Sequence, residues 1–147
     1  MSNNDTLTVE SGVTVDTSAA EPVELEGHTF STSSTTITNN GTIIGTTKGI
    51  EADQSTDFSI DNSGTVSVTD NLNRPGSALS LQQSSGTVSI VNSGTLESER
   101  ADTIKLHPST GTVTINNSGS ITSSKDRTIN FGQQANAGTI INSGTIS

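Results

Sequence analysis

The groups in this chain that acid–base or ionic chemistry would use are few: fifteen carboxylates, six Lys and Arg, and two histidines, with no cysteine to serve as nucleophile or thiolate ligand. Hydrolysis of a polysaccharide needs two carboxyl groups held about 5–10 Å apart. Lys105 and His107 are two residues apart, which places both on one face of a strand, and Glu97 and Glu99 precede them. That patch is where an acidic glycan would be handled; a solvated strand face accounts for the same residues without chemistry. His28 stands alone near Phe30, with no second metal ligand beside it. The Gly-rich calcium repeat of β-rolls and the phosphate-binding glycine loops are absent. The residues assign no catalytic, cofactor or metal position.

Which of these groups share a neighbourhood depends on the elements that hold them. The stretch Ile60-Asp61-Asn62-Ser63-Gly64-Thr65-Val66 returns as Ile90–Leu96, Ile115–Ile121 and Ile140–Ile146, with a looser copy at Ile37–Ile43. Its glycines, Gly41, Gly64, Gly94, Gly119 and Gly144, are separated by 23, 30, 25 and 25 residues. A period in that range marks a solenoid. Three short runs recur per period, each alternating apolar and polar residues as a strand with one buried face does. Each run has its likeness about one period away, so successive coils pair in parallel, with matching residues about 4.8 Å apart.

Three apolar columns follow. One is Ile37, Ile60, Ile90, Ile115 and Ile140; a second is Ile43, Val66, Leu96, Ile121 and Ile146; a third is Ile50, Leu79, Ile104 and Ile129. Asn39, Asn62, Asn92, Asn117 and Asn142 fall in line as a candidate ladder, because stacked amides can donate and accept along a column. The glycines after them are expected to turn the corner with positive φ. The outward column Glu51, Ser80, Lys105, Asn130 and the column Thr38, Asp61, Val91, Asn116, Ile141 each hold a single carboxylate and no pair. Asp102 aligns with Arg127, an attraction, and Arg100 with Lys125, a repulsion, each expected at the surface and worth on the order of a few tenths of a kcal/mol there. Thr42, Thr65, Thr95, Ser120 and Thr145 form a hydroxyl file of the kind that orders water in ice-binding solenoids; β-propensity explains it equally. The 30-residue step carries extra residues at 69–76, read as a surface loop.

Residues 1–34 read as an N-terminal cap or degenerate first coil. Leu7, Val9, Val13 and Val15 alternate around Ser11-Gly12 like strand–turn–strand. Acidic residues crowd this part, and charge keeps foreign strands off an exposed end. Residues 35–147 read as β-helix coils, cut short at the C-terminal end, so that residues 138–147 are expected to associate end to end. The chain reads as a piece of a longer protein. A hydrophobic content of 27% is low for a globular core, but a thin core along an axis needs less. The net charge of −9 disfavours nucleic acid and anionic membrane surfaces, and no stretch has the ~20 apolar residues of a membrane-spanning helix.

The Ile-x-Asn-Ser-Gly-Thr-Ile repeat resembles repeats in the passenger regions of bacterial autotransporters and related large surface adhesins. The resemblance covers residues 35–147 and is a repeat style, without a catalytic signature. It implies a right-handed, single-stranded parallel β-helix with coils of about 25 residues, secreted to the bacterial cell surface as a non-catalytic stalk or adhesive shaft. Its partner would be a host-cell or matrix ligand or glycan, with no insertion of this part into a membrane. A fragment of a polysaccharide-acting β-helix enzyme and an ice-binding solenoid are the alternatives.

Overall fold

The computed structural model describes residues 4–16, 23–26, 34–53, 56–69, 76–82, 85–107, 111–132 and 138–147. Among them every regular element is a strand, and strands recur three to a coil. The first coil carries β1 (Asn4–Val9), β2 (Thr14–Asp16) and β3 (Val23–Glu26). The next carries β4 (Ser34–Asn39), β5 (Thr42–Gly45) and β6 (Lys48–Asp53). Then come β7 (Asp57–Asn62), β8 (Thr65–Val68) and β9 (Ser77–Gln82), and β10 (Thr87–Asn92), β11 (Thr95–Ser98) and β12 (Ile104–His107). The last are β13 (Thr112–Asn117), β14 (Ser120–Ser123), β15 (Ile129–Asn130), β16 (Gly138–Asn142) and β17 (Thr145–Ile146).

Neighbours in space are one coil apart in sequence. The strands form three parallel sheets, β1-β4-β7-β10-β13-β16, β2-β5-β8-β11-β14-β17 and β3-β6-β9-β12-β15. The chain is therefore an all-β parallel β-helix, a solenoid with turns of roughly 25 residues, as the repeat implies. The pairing follows from strand length: runs of two to six residues are too short to hold as isolated hairpins, whereas stacking lets each pair on both sides.

Register places the three apolar columns as the spacing requires. Ile37, Ile60, Ile90, Ile115 and Ile140 lie opposite one another in turn. So do Ile43, Val66, Leu96, Ile121 and Ile146, and Ile50, Leu79, Ile104 and Ile129. A fourth column adds Ala52, Leu81 and Leu106. These side chains are buried through the middle coils. Each contributes roughly 1.5–3 kcal/mol on leaving water, which is how a chain of low apolar content holds a core. The columns lose cover at the last strands, where Ile140 is 44% exposed.

The first coil joins the same sheets, with Leu7 opposite Ile37, Val15 opposite Ile43 and Val23 opposite Ile50. The turn after β1 is a corner between two sheets, since β1 and β2 belong to different ones. Val13 N donates to Glu10 O across it, and the Val13 side chain is exposed outside the core. The residues read as a surface loop, apart from Thr69 and Gly76, and the aromatic Phe30 with its neighbour His28 lie outside the described residues.

The corner glycines correct the expectation of positive φ. Among the described glycines only Gly12 and Gly132 have it. At Gly64, Gly94, Gly119 and Gly144 the reason is steric. A Cβ on any of them would run into the carbonyl oxygen of the corner glycine one coil below: Gly41, Gly64, Gly94 and Gly119 respectively. The coils approach backbone to backbone at this corner, and only a residue without a side chain fits between.

Candidate functional site

Two groups of side chains are built by this stacking, one inside a corner and one on the surface. Inside, five asparagine amides form a one-way ladder. Asn39 Nδ2 donates to Asn62 Oδ1, Asn62 Nδ2 to Asn92 Oδ1, Asn92 Nδ2 to Asn117 Oδ1 and Asn117 Nδ2 to Asn142 Oδ1, each at 2.7 Å. Each of the first four amides also donates to the carbonyl of the residue after the next coil's glycine: Thr65, Thr95, Ser120 and Thr145. The backbone turns in step, because Ser93 N and Gly94 N both donate to Asn62 O, as Ser118 N and Gly119 N do to Asn92 O. Asn39, Asn62, Asn92 and Asn117 are buried, and a buried amide demands such partners. This is a structural device: the four buried amides are engaged by their neighbours along the column.

The surface group lies where two outward columns run side by side. Ser80, Lys105 and Asn130 are opposite one another in β9, β12 and β15. Ser77, Asp102 and Arg127 follow at the same 25-residue step, three positions earlier. Arg127 Nε donates to Asp102 Oδ1 at 3.0 Å, and Asn130 Nδ2 donates to Asp102 Oδ2 at 2.6 Å. The attraction expected between Asp102 and Arg127 is formed, but Asp102 is 6% exposed and thus buried, where a surface pair was expected. Burial without both donors would be costly for a carboxylate. The Arg127 side chain is 65% exposed, and Lys105 and Lys125 are exposed. Ser77, Asp102, Lys105, Asp126, Arg127 and Asn130 line an open hollow of about 370 Å³.

The column reasoning fails at β6 and β9. Glu51 and Ser80 face away from the apolar core, yet they are only 7% and 3% exposed. Glu51 is ion-paired with Lys48, three residues earlier on the same strand. The column also reaches one rung further back, because Glu24 lies opposite Glu51 and Glu26 opposite Asp53. The register therefore begins this column with Glu24, one coil before the single carboxylate that was expected in it. The signal was available in the alternation of Val23-Glu24-Leu25-Glu26; it was missed because that run was set apart as a cap. The other outward column is as expected, with Asp61 between Thr38 and Val91.

Lys105 and His107 sit on one strand two residues apart. Glu97 and Glu99 line a second, smaller hollow of about 210 Å³ with Ser67, Ser98 and Ser124, while Lys105 lines the larger one. The file Thr42, Thr65, Thr95, Ser120 and Thr145 is in register, with Thr14 added in front. A second complete file was overlooked: Thr6, Thr36, Ser59, Ser89, Thr114 and Thr139 across the first sheet. Its signal is plain once register is known, since each residue immediately precedes the apolar residue of the first column.

No protein-family profile matches this chain, and neither a curated protein nor a solved structure is similar to it.

Proposed function

We propose that the chain is a non-catalytic structural and adhesive β-helix module of a secreted bacterial cell-surface protein, of the autotransporter passenger kind. The observation that carries the reading is the unbroken corner: five amides and five glycines in one register, which extend the rod by one strand spacing per coil. Six strands in one sheet amount to a shaft of about 24 Å at about 4.8 Å per step. Two of its files are unbroken Ser and Thr, a polar face suited to display. The partner is a host-cell or matrix surface ligand or glycan. The test is adhesion. Beads coated with the chain are expected to bind host cells or matrix over uncoated beads, and to release no shorter saccharide from any polysaccharide bound. Turnover mapped to these coils would overturn the reading, as would beads that adhere no better than uncoated ones.

A polysaccharide-acting enzyme has one observation in its favour, the register that sets Glu24 opposite Glu51 and Glu26 opposite Asp53. Glu51 is tied to Lys48 in an ion pair. On that reading Glu26→Gln abolishes turnover; unchanged turnover in that variant removes the pair from any mechanism.

A further inference from the structure

We infer that the hollow between Lys105 and Arg127 is a binding site for a carboxylated saccharide. The inference rests on the adhesive reading and gives the ligand's chemistry. Of fifteen acidic and six basic residues in the chain, four of each fall in residues 97–127, which leaves eleven against two elsewhere. All of the net −9 therefore lies outside this stretch, and an anion repelled by the rest of the surface is not repelled here. Local geometry strengthens this. Asp102 fixes Arg127 through Nε at 3.0 Å, with Asp126 Oδ1 at 3.7 Å from the same nitrogen, and the terminal nitrogens of the guanidinium make no hydrogen bond among the described residues. Lys105, one column over, makes no ion pair among them either. A carboxylate placed between the two cations meets a planar fork already held in position and a mobile ammonium beside it.

The same hollow carries acceptors. Asp126 is close to Arg127, with Arg127 N donating to its Oδ1 at 2.9 Å, and Asn130 and Ser77 add an amide and a hydroxyl to the lining. A ligand that is anionic throughout, such as an acidic peptide, is repelled by Asp126. A uronic or sialic acid carries one carboxylate and several hydroxyls on one ring, and so satisfies cations and acceptors together. Ala101 is the sole apolar lining residue, which gives a peptide side chain nothing to bury against.

Calorimetric titration of the intact chain tests this, with oligogalacturonate, a hyaluronan oligomer and oligosialic acid as probes, the methyl-esterified galacturonate as the neutral control and oligoglutamate as the peptide control. At least one of the three acidic saccharides is expected to bind, weakening as salt rises, with the ester and the peptide failing. Lys105→Gln, at an exposed position, is expected to leave the circular dichroism unchanged and to weaken binding about tenfold, the loss of one charge-assisted contact. Binding of none of the three, equal binding of the ester or peptide, or undiminished binding by Lys105→Gln overturns the inference. Adhesion to cells without saccharide binding refutes the site and leaves the adhesive reading standing; release of shorter saccharides refutes the adhesive reading instead.

Discussion

Gly94→Ala is expected to cost roughly 4 kcal/mol or more, enough to unfold much of the chain given the marginal stability of a domain. The new Cβ would meet the Gly64 carbonyl oxygen and the backbone of Ser63 in the coil below. Backbone cannot swing aside as a flexible side chain does. Relief requires the coils to part, and that breaks the bonds from Gly94 N to Asn62 O at 3.0 Å and from Thr95 N to Gly64 O at 2.8 Å. Gly12→Ala is the contrast. Gly12 has φ of +81° with no atom within 4 Å of a Cβ, so only backbone strain is at stake. About 1–2 kcal/mol is expected there. Urea unfolding followed by circular dichroism separates the two. Equal losses would show that the corner glycines are kept for conformation and not for close approach.

Asn92→Ala is expected to cost about 3 kcal/mol. Asn92 accepts from Asn62 and donates to Asn117, to Gly94 O at 3.3 Å and to Ser120 O at 3.1 Å. Truncation strips an acceptor from Asn62 and donors from Asn117 and Ser120 in a fully buried corner, at about 1–3 kcal/mol for each unsatisfied group, and leaves a small void. Asn142→Ala serves as the control. Asn142 lies at the exposed end of the ladder, where water replaces lost partners, so less than about 1 kcal/mol is expected. Asn92→Asp keeps the shape but turns the donor into an oxygen facing the Asn117 oxygen. Burial and that repulsion raise the new carboxyl's folded-state pKa, so the deficit grows as pH rises through the carboxylate range and shrinks in acid. Equal losses for Asn92→Ala and Asn142→Ala would mean that the ladder carries no stability of its own.

What could be read from the residues was register. Matching Ile, Val and Leu at a fixed step can share one narrow interior only by parallel stacking, and the strands pair accordingly. What could not be read was the distance between backbones. Glycine at a turn suggests positive φ, and nothing in Asn-Ser-Gly reveals that the next coil's carbonyl fills the space a side chain would need. Nor does spacing give the direction of the amide ladder, which depends on which carbonyls the corner presents to Nδ2. Alternation sorts residues to the two faces of a strand, but not all outward positions meet water: Glu51 and Ser80 are buried. The charged hollow was half legible. The 25-residue step set Asp102 against Arg127, while the second hydrogen bond from Asn130, which secures Asp102 in burial, comes from a neighbouring column that no pairwise alignment joins to it.

Nitroxide labels on the outer hydroxyl file measure the stacking directly. Thr36, Ser59, Ser89, Thr114 and Thr139 are successive rungs. Pulsed electron resonance between labels at 36 and 114 is expected to give about 14 Å and between 36 and 139 about 19 Å, before allowance for label linkers, one strand spacing being added per coil. The increment is expected to be the same whether the coil holds 23, 25 or 30 residues. Distances that grow with sequence separation instead, or labels at 59 and 89 lying far apart as on hairpins folded back antiparallel, would contradict the stacked-coil architecture and everything inferred from it.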